Sequence, residues 1–269
     1  MTRRILGIDF SGATDAGKKI WIAEAREFGD AIRLIDLHPA AELPGGDATP
    51  IPAVAALARH ILAEPDTVAG CDFPFSVPRS LIDERSWIDF IRAFPARFAD
   101  PDAFRDWAFR KAGRRELRRR TDTEQKTPFN SYNLRIHRQT WWGIVGLLNP
   151  FVVSGTAAIR PYQPMPRKPR PIVIEACPAC AMKSIGFYPQ FKGRAAAHRA
   201  ARLAVLRRLV ADGYLERPGR ALAARIADNA GGDALDAVIA AIVTARADLR
   251  HRLRGDDAFE GLIYGRLVP

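Results

Sequence analysis

Cysteine is scarce: the 269 residues contain only Cys71, Cys177 and Cys180. That number and parity exclude a disulfide framework and fit a reducing compartment. Cys177-Pro-Ala-Cys180 has CxxC spacing, but no second Cys pair or close His pair accompanies it, so a closed four-ligand zinc site is not expected. Nor does the motif read as opening a helix after a strand, which argues against a redox role. Long apolar runs are missing too. No stretch approaches the ~20 residues of a spanning helix, which predicts no membrane association. The N-terminus enters an apolar strand without a signal-peptide pattern, so a cytoplasmic protein is expected. No nucleophile elbow or Ser-His-Asp arrangement is present, and the five histidines show no ligand spacing. Gly12 to Lys19 imitates a P-loop, but Lys19 stands where Ser or Thr should hold magnesium, and a strand pattern follows.

What is abundant is apolar content, at 48%, and positive charge, at +11 with a pI near 10.1. The first supports a sizeable core; the second suits a polyanionic partner, nucleic acid first among them. A composition rich in Ala and Arg throughout gives the same charge without any such partner. Arg4–Asp9, Lys19–Glu24 and Ala31–Asp36 read as three tightly connected strands, hence an antiparallel meander. A helix over 51–63, a strand ending at Asp72, a helical insertion over about 80–150 and a strand ending at Glu175 follow. Pro95 should break or kink the first helix of the insertion. Helices over about 194–212, 218–229 and 233–249 complete the chain. The order predicts one α/β domain over 1–269, with a mixed sheet of antiparallel and parallel strands flanked by helices.

Three of these strands end in an acid: Asp9, Asp72 and Glu175. Asp233 and Asp236, three apart, share one face of the first turn of the last helix. Each has a structural reading as well: Asp9 could cap a turn with Ser11 and Gly12, and Asp233 could cap its helix. If that helix end lies over the strand ends, four or five carboxylates share one space and require cations. Mg2+ or Mn2+ is the natural counterion, being hard and carboxylate-bound. Such ions support phosphodiester hydrolysis. Asp9, Asp72, Glu175 and Asp236 are then the catalytic candidates, and Asp9, Asp72, Asp233 and Asp236 the metal ligands.

The motifs Gly7-Ile-Asp9-Phe-Ser-Gly12, Gly70-Cys-Asp72-Phe-Pro74, Ile174-Glu175-Ala-Cys-Pro178 and Asp233-Ala-Leu-Asp236-Ala resemble the DUF429 family. That family is described as predicted RNase H-like nucleases, in the RuvC-like branch of the RNase H superfamily. The resemblance spans nearly the whole chain and implies an RNase H-like fold and a metal-dependent nuclease (a hydrolase). Gly232 departs from it, since members often carry a further Asp there, and Cys177 replaces a more usual aromatic or aliphatic residue. Ser11, at the first hairpin, and Arg120, Asp122, Lys126, Asn130 and Ser131, in a polar segment resembling one near the family's cleft, are candidate substrate contacts. A surface loop explains the latter five equally. Arg110, Arg114 and Arg118 fall on one helical face that could follow a phosphate backbone or be merely solvated. Trp141-Trp142 reads as core rather than as a base-stacking pair. Two other functions fit the same pattern: an ATP- or phosphometabolite-binding enzyme of the actin-like and sugar-kinase branch, with Asp9–Thr14 at the phosphate, and a noncatalytic nucleic-acid-binding module.

Overall fold

In the computed structural model, which describes residues 3–267, six strands form one mixed sheet. They are β1 (Arg4–Asp9), β2 (Trp21–Phe28), β3 (Ala31–Pro39), β4 (Thr67–Asp72), β5 (Ala158–Ile159) and β6 (Ile172–Glu175). Their order is β3-β2-β1-β4-β6-β5. The β1-β2-β3 meander is antiparallel, while β1, β4, β6 and β5 run parallel. The two-residue β5 carries too short a pattern to read from sequence.

Twelve α-helices surround the sheet among the described residues. They are α1 (Ala16–Lys19), α2 (Pro50–Leu62), α3 (Trp87–Arg97), α4 (Pro101–Lys111), α5 (Arg120–Glu124), α6 (His137–Gly143), α7 (Asn149–Ser154), α8 (Pro178–Ser184), α9 (Ala196–Ala211), α10 (Arg220–Asp228), α11 (Asp233–Ala245) and α12 (Asp257–Glu260). Alternation along the strands sorts side chains onto two faces. Leu6, Ile8, Ile22, Ala69, Cys71 and Val173 meet a core shared with α2, α3, α4, α6 and α7. Ile5, Ala23, Ala25, Val68, Ile172 and Ile174 meet a second core, shared with α8 to α11.

Inside the helical insertion, Ser86 and Asp100 cap α3 and α4 by accepting from the backbone N–H groups of Asp89 (3.1 Å) and Ala103 (2.7 Å). At Pro95, where a break or kink was expected, α3 is not interrupted and runs on to Arg97. Proline removes the N–H that Ile91 O would have accepted. The side chain of Asn149 donates to that carbonyl instead, at 2.8 Å. The basic run is corrected as well. Helix α4 stops at Lys111, and Gly113 and Arg114 adopt positive φ, 65° and 60°. Arg110, Arg114 and Arg118 therefore share no helical face. Arg118 turns back to donate to the carbonyls of Thr127 and Pro128, at 2.6 and 3.3 Å. Trp141 is core, its indole N–H bonded to Phe98 O at 3.0 Å.

The element that positions the site is α11. Every residue from Ala234 to Thr244 is buried, because the helix lies between the sheet and α8 and α10. Burying a side chain such as Leu235, Ile239 or Ile242 contributes roughly 1.5–3 kcal/mol. Two glycines set how closely α11 approaches. A Cβ at Gly7 would strike the backbone of Ala237 and Ala241, and one at Gly70 would strike Thr244. These glycines face each other across the parallel β1-β4 register. Two residues on, and so on the same face, stand Asp9 and Asp72, also directly paired. The close seat of α11 brings its first turn over those two strand ends.

Candidate metal centre

Asp9 and Asp72 open onto a pocket of about 390 Å³ at the C-terminal ends of the parallel strands, the side of an α/β sheet where ligands commonly bind. Asp236 lines the same pocket and is 6% exposed. Asp233 projects from the same turn of α11; its own side chain caps nothing, and Gly232 takes the N-cap position. The carboxyls are electrostatically linked. Burial, then Asp236, Asp233 and Asp72, pushes Asp9 well above the usual carboxylate range, opposed by Lys192. Burial, then Asp236, pushes Asp72 up to about 8. Burial also raises Asp233 and Asp236, against the pull of Lys192.

Sequence reasoning missed Lys192. Its Nζ lies 2.6 Å from Asp236 Oδ2, and against its own burial Asp236 and Asp9 hold it firmly protonated. Lys192 reaches the acids from the segment between α8 and α9. Gly193 anchors that segment through its N–H to Ala230 O at 2.8 Å. Gly232, the departure noted in the sequence, has φ 81°, and a Cβ there would crowd Phe191 and the Lys192 stem. A glycine at 232 thus makes room for a cation where a further acid was expected. Among the described residues, no three His, Cys, Asp or Glu side chains converge on one ion-sized position. Lys192 stands within the acidic group. With four carboxyls and one ammonium in one place, burial and mutual repulsion raise all four carboxyls above their ordinary range.

Glu175 belongs to a different arrangement. It pairs with Cys71 rather than Asp72, one residue out of step, so alternation turns it to the opposite face from Asp9 and Asp72. There its two oxygens accept from Arg119, at 2.6 and 2.8 Å, and from the Phe75 N–H, at 2.9 Å. Arg119 is fully buried and also grips Asp122, with Nη2 2.8 Å from Oδ1 and Nε 3.1 Å from Oδ2. Burial raises the Glu175 carboxyl while Arg119 pulls it down; burial opposes the Arg119 charge, but Asp122 and Glu175 raise its pKa well above the usual value. Glu175, expected among the catalytic acids, lines the same pocket as Asp9 and Asp72, but both of its oxygens are already engaged, by Arg119 and the Phe75 N–H.

The six candidate substrate contacts scatter. Asp122 lines the pocket, but its carboxylate is held by Arg119. Asn130 and Ser131 are buried within their loop, Asn130 between Glu116 and the Tyr132 N–H. Arg120 is exposed and bonded to Glu124 at 2.8 Å, while Lys126 is exposed at a positive φ of 53°. The Ser11 hydroxyl accepts from the Ala13 N–H at 3.3 Å, closing the first hairpin. Tyr188, 46% exposed, joins Phe129 on the pocket wall and was not foreseen.

The raised carboxyls make stability depend on pH. Asp72 moves from 3.8 to about 8 on folding. The folded chain therefore holds a proton the unfolded chain has released, and stability falls as pH climbs from about 4 to about 8. Thermal melts in EDTA should show the midpoint dropping across pH 5 to 8, and Mn2+ should flatten that slope. A midpoint that rises with pH in EDTA would contradict the crowding described here.

No helix among the described residues is long and apolar enough to cross a membrane. No protein-family model matches the chain, and neither does any curated protein or solved structure.

Proposed function

We propose that this chain is a cytoplasmic, divalent-metal-dependent nuclease with an RNase H-like fold, as its resemblance to the DUF429 family implies. The observation that carries the reading is the pairing of Asp9 with Asp72 beneath the first turn of α11. Asp9, Asp72, Asp233 and Asp236 would hold Mg2+ or Mn2+. When bound, such an ion supplies an activated water and a counter-charge for the leaving oxygen of a phosphodiester. Lys192 keeps Asp236 oriented and neutralises part of the cluster. The Glu175–Arg119–Asp122 network fixes the opposite wall. Exposed Tyr188 offers a face on which a nucleobase can stack beside the acids.

Phosphate binding at the first hairpin, as an ATP-dependent enzyme would use it, is less well supported. Gly12 packs against the backbone of Arg138 and Gln139, and the Gly17 N–H donates to Ala48 O at 2.9 Å. The hairpin glycines are thus turned toward protein rather than toward a ligand.

Incubating the full chain with labelled single- and double-stranded DNA and RNA, in Mn2+ or in EDTA, tests the proposal. Cleavage of at least one substrate in Mn2+, absent in EDTA, is expected. Binding without cleavage would favour a noncatalytic module. Thermal stabilisation by ATP with Mg2+, and none by nucleic acid, would favour the ATP-binding alternative.

A further inference from the structure

The expectation that Cys177-Pro-Ala-Cys180 opens no helix fails. Strand β6 passes through Ala176 into Cys177, which caps α8, its Sγ accepting the Cys180 N–H at 3.2 Å. The two sulfurs form a disulfide with Cα atoms 5.3 Å apart, within the range that a bridge needs without backbone movement. A single bridge is no disulfide framework, and Cys71 is free, buried in β4.

The two halves of the bridge differ in surroundings. Cys177 lines the same pocket as Asp9 and Asp72. Cys180, 3% exposed, is not on that lining; Ile263 packs with both cysteines, and a Cβ at Gly265 would meet the Cβ atoms of Cys180 and Cys177, at 2.7 and 3.4 Å. The closing segment is tied down, since the Ile263 N–H donates to Thr121 Oγ1 and Tyr264 O accepts from the Cys177 N–H, both at 2.9 Å. Of the two cysteines only Cys177 is on the pocket lining, and both are buried, at 8% and 3%. Cys71 faces the other core of the sheet, away from α8, and takes no part.

We propose that Cys177–Cys180 is a reversible thiol-exchange site for low-molecular-weight thiols, with Cys177 the sulfur attacked and Cys180 the leaving and resolving one. A small thiolate entering the pocket attacks Cys177 Sγ. The Sγ–Sγ bond breaks as a mixed disulfide forms, and the bonding pair goes to Cys180 Sγ, which takes up a proton. A second small thiolate attacks the small-molecule sulfur of the mixed disulfide. This releases Cys177 as a thiolate, which is protonated in turn, together with the oxidised small disulfide. Two electrons and two protons reach the protein, and two small thiols are oxidised to one disulfide. The recessed position of Cys177 selects a small thiol over a folded protein reductant. While the mixed disulfide lasts, its adduct occupies the pocket that the carboxylates share. None of this depends on the metal reading.

The test uses the full wild-type chain, purified without reductant and kept native. Treatment with reduced glutathione, acid quenching and alkylation in denaturant should label Cys71 and two further thiols, both on the peptide carrying Cys177 and Cys180. Oxidised glutathione should return that pair to zero, leaving Cys71 alone labelled. In Cys180→Ser, exchange of the Cys177 thiolate with oxidised glutathione should release one reduced glutathione and leave an adduct that accumulates on Cys177. The wild-type count decides the matter even if that variant folds poorly. Three results would overturn the proposal: reduction only after denaturation, two free thiols that persist in oxidised glutathione, or reduction by a thioredoxin-class protein but not by glutathione.

Discussion

Asp9→Asn should abolish Mn2+-dependent cleavage while raising, rather than lowering, the melting temperature of the metal-free chain. The substitution keeps the shape of the side chain and removes its charge. Asp9 is pushed well above its ordinary pKa by burial and by Asp236, Asp233 and Asp72. An ionised carboxylate there is a cost to the metal-free fold, and the amide relieves it. The same charge is what a divalent ion would bind. Loss of a group that merely supports a ligand already costs 10–100-fold; loss of the ligand itself should exceed roughly 100-fold. Melting curves with and without Mn2+ should therefore cross. In EDTA at pH 8 the variant should melt above wild type, and in saturating Mn2+ the wild type should regain its lead because it alone gains from binding. A variant that still cleaves would remove Asp9 from the reaction. One that melts well below wild type in EDTA would show that Asp9 is structural after all.

The Gly-x-Asp pairs at Gly7–Asp9 and Gly70–Asp72 made the centre of the site legible. Period-two alternation ties each acid to the glycine that admits α11, and the parallel register then sets them opposite each other. The face of Glu175 was not legible. It also ends a strand, but a one-residue offset between β4 and β6 reverses its direction, and register across a parallel pair depends on distant connections. Arg119 is one of many arginines in a basic run, and only burial separates it from exposed Arg118 and Arg120. Lys192 lies in a segment without periodicity and reaches Asp236 across 44 residues of chain. Its one local clue was Gly232, where a side chain would occupy its space. The helix that opens at Cys177 is only seven residues long, with Pro178 at its start and no full apolar face to reveal it.

The largest loss of stability is expected from Arg119→Met. Methionine fills much of the same space, yet it leaves Glu175 and Asp122 buried without the guanidinium that joins them. Removing one partner from a buried ionic group typically costs about 3–5 kcal/mol, because the remaining charge has neither water nor a counter-ion. Arg119→Lys should rescue little, since a single ammonium cannot reproduce the fork that meets both carboxylates. The penalty has a characteristic pH dependence. With Arg119 gone, the Glu175 carboxyl, already raised by burial, loses the pull that opposed it and rises further above its unfolded value near 4. The folded variant then binds protons that the unfolded chain has lost, and its stability falls as pH increases above about 4. Urea denaturation of wild type and variant should show a gap that is wide at pH 8 and narrower at pH 5. Adding Glu175→Gln and Asp122→Asn to Arg119→Met should recover part of the loss at pH 8, because neutral amides remove the stranded charges. A small gap that is equal at both pH values would mean that the pocket wall is held by packing around Phe75 and Ile263 rather than by this buried ionic network.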